Sequence, residues 1–186
     1  MDRKIIFLML VLISLLLISC QPSVPKSEPK IDWPEFNKEY FENIGVNVTE
    51  YYNQKEGFSF LYREEWKLTE QNSIISLRKN IQEKEILIQI TTEKTEFENI
   101  EDYINKVKPP LHRLGVSKRT EDAEMGGKAA LFEYGHVTLG NEDKSTISVI
   151  GINKGNLYRL VYYSPIDFNR ELNAFDTIVI SFKYLE

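Results

Sequence analysis

The sequence contains few of the residues from which active sites are usually built. It has one cysteine and two histidines in 186 residues. It also lacks the Gly-x-Ser-x-Gly, His-Glu-x-x-His and phosphate-loop spacings of common enzyme classes. A single cysteine cannot form an internal disulfide, so the folded part must be stabilised by its core. We therefore expect a protein that is not an enzyme, with no catalytic residues and no cofactor.

The chain also lacks an excess of positive charge. It carries 23 Lys and Arg residues against 28 Asp and Glu residues, a net charge of −5. Nucleic acid is not an expected partner, because binding to phosphates requires a basic face. An anionic bilayer surface would repel such a domain weakly, so charge does not hold it at a membrane.

A short apolar segment near the N-terminus predicts export. Arg3 and Lys4 precede the apolar run Ile5–Ile18. Fourteen residues in a helix extend ~21 Å, which is less than the ~30 Å hydrocarbon core of a bilayer. A positive start followed by a short apolar core is typical of a secretory signal. We expect residues 1–19 to be the signal peptide.

The end of this run resembles the lipobox of bacterial lipoproteins. Leu17, Ile18 and Ser19 stand directly before Cys20, the only cysteine. The resemblance implies a diacylglyceryl thioether on Cys20, cleavage before it, and acyl chains such as palmitate that anchor the protein. A plain signal peptide ending in Cys and an uncleaved helix are the alternatives. The expected location is the cell membrane or the outer membrane, facing away from the cytoplasm.

A proline-rich stretch follows the predicted lipid site. Gln21–Lys30 contains three prolines and no apolar periodicity. In polyproline geometry, ten residues reach ~30 Å. We therefore divide the rest of the chain into a lipidated cysteine with its tether, residues 20–30, and one globular domain, residues 31–186.

The domain is predicted to begin with an aromatic helix over Asp32–Ile44, with Asp32 as its cap and Gly45 after its end. The possible partner face consists of four aromatic residues on one stripe: Trp33, Phe36, Tyr40 and Phe41. Such a stripe can bind a partner or the membrane surface, or it can pack on the domain's own core. Packing on the core is the commoner use of such a stripe, and we favour it.

Strand patterns fill most of the remaining chain. Phe58–Tyr62 alternates strictly, and Glu85–Thr92 is rich in isoleucine. Further helices are predicted over Asn99–Leu114, with Asn99 as its cap, and after Asp167, which caps a final helix bearing Phe175. The strands are Val48–Tyr52, Phe58–Tyr62, Ser73–Arg78, Glu85–Thr92, Val116–Glu121, Lys128–Leu139, Ser145–Asn153 and Leu157–Tyr163. Consecutive strands with short turns predict an α+β fold with an antiparallel sheet covered by helices. Trp66 and Phe175 are expected in its core.

Two segments resemble the PsbP-like family. Phe58–Trp66 is similar to the family's opening strand and following corner, although Arg63 stands where the family usually has proline. Tyr158–Pro165, with Phe168, Phe175 and Phe182 after it, is similar to the last strand and closing helix. The resemblance implies a central antiparallel sheet between helices, an α/β/α sandwich. Photosynthetic members support the manganese–calcium cluster of photosystem II, and no residue here matches a motif for that role.

The remaining polar groups give no strong site prediction. We expect His112 to be a solvated residue at a helix end and His136 to be a partly buried, hydrogen-bonded one. The acidic groups at Glu121–Glu124 and Asn141–Asp143 lack the spacing of a calcium loop and are expected to be solvated turns. No metal site is predicted.

These observations favour a binding or assembly module on the outer side of a membrane. Its expected partners are the membrane, through the lipid on Cys20, and a protein whose identity the sequence does not reveal. A carrier of a small ligand or metal ion, using a pocket between sheet and helices, is the alternative. Convergent polar groups in a pocket would favour the carrier, and an exposed aromatic patch would favour the module.

Overall fold

The computed structural model describes residues 35–107, 116–165 and 171–185, with side chains throughout except at residues 116–122. This part contains three helices and ten strands, which confirms the α+β class. In chain order the elements are α1 (Lys38–Asn43), β1 (Val48–Asn53), β2 (Phe58–Arg63), β3 (Lys67–Gln71), β4 (Ile74–Ile81), β5 (Lys84–Lys94), α2 (Ile100–Val107), β6 (Val116–Met125), β7 (Lys128–Leu139), β8 (Glu142–Asn153), β9 (Asn156–Pro165), α3 (Leu172–Ser181) and β10 (Lys183–Tyr184).

The strands form two antiparallel sheets where the sequence suggested one. The small sheet has the order β1-β2-β10, and the large sheet has the order β3-β4-β5-β9-β8-β7-β6. The chain passes from one to the other at the turn between Arg63 and Trp66, whose backbone N–H donates to the Arg63 carbonyl at 3.0 Å. Strand patterns in the sequence do not reveal this division, because both sheets bury one face in the same core.

The main core lies between the two sheets and α3. Strand β5 contributes Ile86, Ile88 and Ile90, all fully buried, and their spacing of two places them on one face. Trp66 and Phe175 are 3% and 1% exposed, so their predicted burial is confirmed. Each fully buried aliphatic side chain stabilises the fold by roughly 1.5–3 kcal/mol, which makes this layer the main source of stability.

Helix α2 covers part of the opposite face of the large sheet. Ile100 and Ile104 pack against Leu131, Ile150 and Leu157, which all lie on the face turned away from α3. The predicted Asn99 cap is confirmed, because its Oδ1 accepts a hydrogen bond from the Asp102 backbone N–H at 2.8 Å. The C-terminal part of the predicted helix and His112 lie outside the described residues.

The sequence predicts hairpin loops over Asn80–Lys84 and Gly140–Lys144, and both are shorter in the structure. The pairing of β4 with β5 extends to Ile81 and Lys84. Only Gln82 and Glu83 therefore form the turn between these strands, with positive φ angles of 50° and 65°. Two adjacent positive φ angles give the twist that matches a two-residue hairpin. Pairing of Leu139 with Glu142 shortens the next predicted loop in the same way.

The C-terminal elements also differ from expectation. Glu171 occupies the N-cap position of α3, whereas the predicted cap, Asp167, lies outside the described residues. The two residues of β10 pair with Ser59 and Phe58 of β2 and were not predicted. A strand of two residues is too short to show a periodic pattern, but it completes the small sheet.

Candidate functional site

The predicted site residues fall partly within the described chain. Cys20 and Trp33 lie outside it, whereas Phe36, Tyr40 and Phe41 lie on or beside α1. Helix α1 is shorter than the predicted Asp32–Ile44, because Asn37 caps it: its Oδ1 accepts from the Tyr40 backbone N–H at 2.9 Å. Phe36 therefore lies in the segment before α1, and Tyr40 and Phe41 lie on α1 itself.

Helix α1 and the segment before it pack on the outer face of the small sheet. Phe41 is 3% exposed and packs with Val48 of β1 and Leu61 of β2. Phe36 and Tyr40 are half-buried against the same cluster, and their rings meet edge to face at 5.0 Å. The preferred prediction, packing on the domain, agrees with this arrangement. Including Phe41 in a partner face is corrected, because its side chain is buried within the domain.

A groove remains between α1 and the outer face of the small sheet. Its volume is about 230 Å³. Its floor comes from β2 and its sides from α1, β1, β10 and the end of α3. The lining residues are Phe36, Asn37, Lys38, Glu50, Ser59, Phe60, Leu61, Ser181 and Lys183. The groove therefore combines apolar surface with charges of both signs, a composition that suits recognition of a polar side chain with an apolar stem.

The charged groups at the groove are held in weak surface ion pairs. Lys183 Nζ lies 3.1 Å from Glu35 Oε1, and Lys38 Nζ lies 3.7 Å from Glu42 Oε1. The side chains of both pairs are more than half exposed, so each pair contributes little to stability. Their charges can therefore be exchanged for those of a bound partner at small cost.

One side of the groove is closed by a side chain from α3. Ser181 Oγ accepts a hydrogen bond from the Leu61 backbone N–H at 2.9 Å. The Ser181 hydroxyl donates to the Thr177 carbonyl within α3 at 2.6 Å. Ser181 thus occupies the edge of β2 beyond the point where β10 ends. Sequence reasoning missed this residue, because its partner is 120 positions away.

Some polar side-chain atoms are buried in the interior of the domain. Trp66 Nε1, Tyr162 Oη and Ser164 Oγ are buried without a hydrogen-bond partner among the described residues. Burial raises the pKa of the Tyr162 phenol, and the neighbouring Ser164 hydroxyl lowers it without making a well-aligned hydrogen bond. Buried water commonly satisfies such groups. The charge of Glu171 also raises the pKa of Tyr162, and the Glu171 carboxylate lies 3.2 Å from Lys79 Nζ.

The weaker candidates are spread over the surface. His136 is exposed, with its ring edge-on to Tyr134 at 5.6 Å, which corrects its expected partial burial. Asp143 accepts from the Thr138 hydroxyl at 2.6 Å, and Glu142 lies 3.4 Å from Lys144 Nζ, so this acidic turn has partners within the chain. Within the described ranges, no three His, Cys, Asp or Glu side chains converge as a metal site would require. The same ranges contain no helix long and apolar enough to cross a bilayer.

Two antiparallel sheets enclosing a core with a closing helix define an α+β fold of the PsbP-like type. The structure resembles that of the cyanobacterial PsbP protein CyanoP from Synechocystis sp. PCC 6803, with a TM-score of 0.52 and 14% sequence identity. The match covers 74% of this chain and 92% of CyanoP. The resemblance noted in the sequence is thus supported at the level of the fold.

A second solved structure gives a similar result. A protein from Bacteroides thetaiotaomicron VPI-5482 matches with a TM-score of 0.52 and 8% identity over 74% of this chain and 48% of the other. No protein-family model matches the sequence, and no curated protein matches it. At these identities the comparisons define the fold alone.

Proposed function

We propose that this protein is a lipid-anchored binding module on the outer side of a cell membrane, and that it binds a partner protein at the groove beside α1. It is proposed to act by binding and assembly, without catalysing a reaction. The groove is the observation that carries this proposal, because it brings Phe36, Glu50 and Lys183 from three separate elements to one concave surface.

The size of the groove favours a protein partner over a small-ligand carrier. Pockets for small molecules usually enclose ~300–1,000 Å³, whereas this groove has about 230 Å³. A space of this size suits one or two side chains projecting from a protein surface. The exposed charges of Lys38, Glu50 and Lys183 would form the polar rim around such a contact.

The anchor assigns a role to the segment before the domain. Lipid on Cys20 would hold the chain at the membrane, and residues 21–30 would let the domain reach ~30 Å from the surface. The Cys20→Ala variant is expected to lose incorporation of a fatty-acid probe in growing cells. Label that persists in this variant would overturn the anchor.

The binding role is tested by chemical crosslinking of the full chain in intact cells. We expect a discrete adduct with another protein, and we expect Lys183→Glu to reduce it by about tenfold, since one reversed charge at a contact costs on the order of 1–2 kcal/mol. Lys94→Glu is the matched control, because Lys94 is an exposed lysine on the large sheet away from the groove. Equal loss in both variants, or in neither, would contradict binding at the groove.

A further inference from the structure

At every second residue of β1, the backbone N–H and C=O groups point away from the neighbouring strand β2. Leu61 of β2 directs its N–H toward Ser181, and the Gly57 carbonyl accepts from Leu185, so both point away from β1. Because backbone groups alternate in direction along an antiparallel strand, Phe58, Phe60 and Tyr62 point toward β1. Their partners are Asn53, Tyr51 and Thr49. The N–H and C=O groups of Glu50 and Tyr52 therefore point to the open side of β1, whereas Val48, which has the same orientation, is 1% exposed and packs with Phe41.

The other strand edges carry features that hinder pairing with a further strand. The ladder between β6 and β7 has two register shifts. The edge strand β3 has five residues, four of them polar or charged and exposed. The edge strand β10 has two residues, and Ser181 occupies the edge of β2 beyond it. Register shifts, charge and shortness are the usual means by which proteins protect sheet edges.

The edge of β1 has no register shift, and Glu50 is the one charged residue on it. Its ladder with β2 runs over six consecutive pairs without a shift, and it contains no proline or lysine. Tyr52, whose backbone faces outward, also has a side chain that is 58% exposed. Within the described residues no strand pairs with this edge. An exposed, regular sheet edge beside a candidate binding groove is the arrangement that strand addition uses.

We infer that β1 is the docking edge for an extended segment of a partner protein, which adds to the small sheet as a fourth, antiparallel or parallel strand. This inference rests on the proposed function and specifies how the partner binds. The added strand would lie ~4.8 Å from β1 and would exchange backbone hydrogen bonds with Glu50 and Tyr52. Its outer-face side chains would lie beside Glu50, which also lines the groove.

Charge selects the partner strand. A basic or neutral residue opposite Glu50 stabilises the pair, whereas a like charge directly opposite destabilises it. A second copy of this chain, paired symmetrically about Glu50, would place two carboxylates opposite each other. Glu50 therefore favours a segment of a different protein, with alternating side chains and a lysine or arginine facing Glu50, over a second copy in this register.

The test uses a photoreactive phenylalanine analogue in place of Tyr52, in the full chain in intact cells. We expect an adduct whose site maps to one short segment of another protein. Adding Glu50→Pro should reduce the adduct by about tenfold, since proline removes an outward N–H and its ring obstructs the added strand. The ladder with β2 does not use this N–H, so the fold should persist, as proline is tolerated at such edge positions.

The control is Glu50→Ala in the same background, which removes the side chain but keeps the N–H. It should lower the adduct by no more than about threefold, through loss of the cross-strand charge pair alone, whereas Glu50→Pro should lower it further. Equal adduct yields in the two variants would overturn strand addition, and an adduct to a second copy of the chain would overturn the choice of partner.

The outcomes separate this inference from the proposed function. An adduct that is sensitive to Lys183→Glu but not to Glu50→Pro would leave a groove-binding module without strand addition. Absence of any adduct from Tyr52, with crosslinks from the groove retained, would also overturn strand addition alone. Absence of partner crosslinks from every position would overturn both.

Discussion

One edge of the small sheet is closed by other elements of the domain, and the other edge is open. On one side β2 pairs with the two residues of β10, and beyond them Ser181 accepts a hydrogen bond from the Leu61 N–H at 2.9 Å. On the other side β1 ends the sheet, with no strand beyond it among the described residues. A single buried hydroxyl can replace a neighbouring strand where the edge must be closed. The edge without such a replacement is the one available for interaction.

The closed edge also carries the aromatic packing that joins the two sheets. Phe182 stacks on Phe58 with ring centroids 5.3 Å apart, and Tyr158 of the large sheet meets Phe58 edge-on at 5.6 Å. On the open edge, Tyr52 is exposed. Stability should therefore depend strongly on Phe182 at the closed edge and weakly on Tyr52 at the open one. The following predictions test that difference, from the largest expected effect to the smallest.

The largest effect is expected at Phe182, which is 2% exposed. Phe182→Ala should lower the free energy of unfolding by about 3–5 kcal/mol, because it removes the ring that anchors β10 to the core. Tyr52→Ala, the aromatic control on the open edge, should change it by no more than about 0.5 kcal/mol. Denaturant unfolding of the two variants measures both values, and similar losses would contradict the contrast between the edges.

A smaller loss is expected where α1 docks on the outer face. Phe41→Ala should destabilise by roughly 3 kcal/mol, near the lower end for a buried Phe, because its cluster is small. Ile44→Ala is the control on the same helix, since Ile44 is 57% exposed. Thermal unfolding distinguishes them. If Phe41→Ala melted like the unchanged protein, α1 would not be part of the folded domain.

The third prediction isolates the hydroxyl that closes β2. Ser181→Ala should cost about 1–3 kcal/mol, since it leaves the buried Leu61 N–H without a partner. Ser164→Ala is the matched control: Ser164 is also fully buried, but its hydroxyl has no hydrogen-bond partner within the described part of the chain. Removal of that hydroxyl should be neutral or stabilising. Equal costs measured by denaturant unfolding would mean that Ser181 does not close the edge.

The sequence predicts the local features of this comparison and misses the distant ones. The Asn99 cap and the isoleucine-rich strand β5 are confirmed, because each depends on residues only a few positions apart. The predicted start of α1 at Asp32 is wrong, because the Asn37 side chain caps the helix and Lys38 is its first residue. Ser181 gives no signal, since its partner is 120 residues away.

The candidate site could be predicted in the same partial way. The aromatic stripe identifies Phe36, Tyr40 and Phe41, but periodicity does not show that Phe41 is buried against β1 and β2. Glu50 and Lys183 line the groove from the first and the last strand in the sequence of the domain. Nothing in their sequence neighbourhoods marks them, because the pairing of β10 with β2 brings them together.

The smallest effect concerns the contact between the open edge and the large sheet. The Tyr51 hydroxyl on β1 donates to Glu70 Oε2 on β3 at 2.8 Å. Partial burial, together with this hydrogen bond and the Glu70 charge, raises the pKa of Tyr51 to about 12. The folded chain therefore keeps this proton at a pH where the unfolded chain, with a tyrosine pKa near 10, has lost it.

The stabilisation from this contact should be complete below about pH 10 and should fall as the pH rises from about 10 to 12. Because Tyr51 is only partly buried, the change should be about 1 kcal/mol or less. Tyr51→Phe should remove this part of the alkaline loss, and Glu70→Gln should shift the Tyr51 titration to lower pH. Ultraviolet titration of the phenolate, taken as the difference between the unchanged protein and Tyr51→Phe, measures the pKa directly. A Tyr51 that titrates near 10 would mean that β1 is not held against β3, and the open edge would then be less well ordered for strand addition.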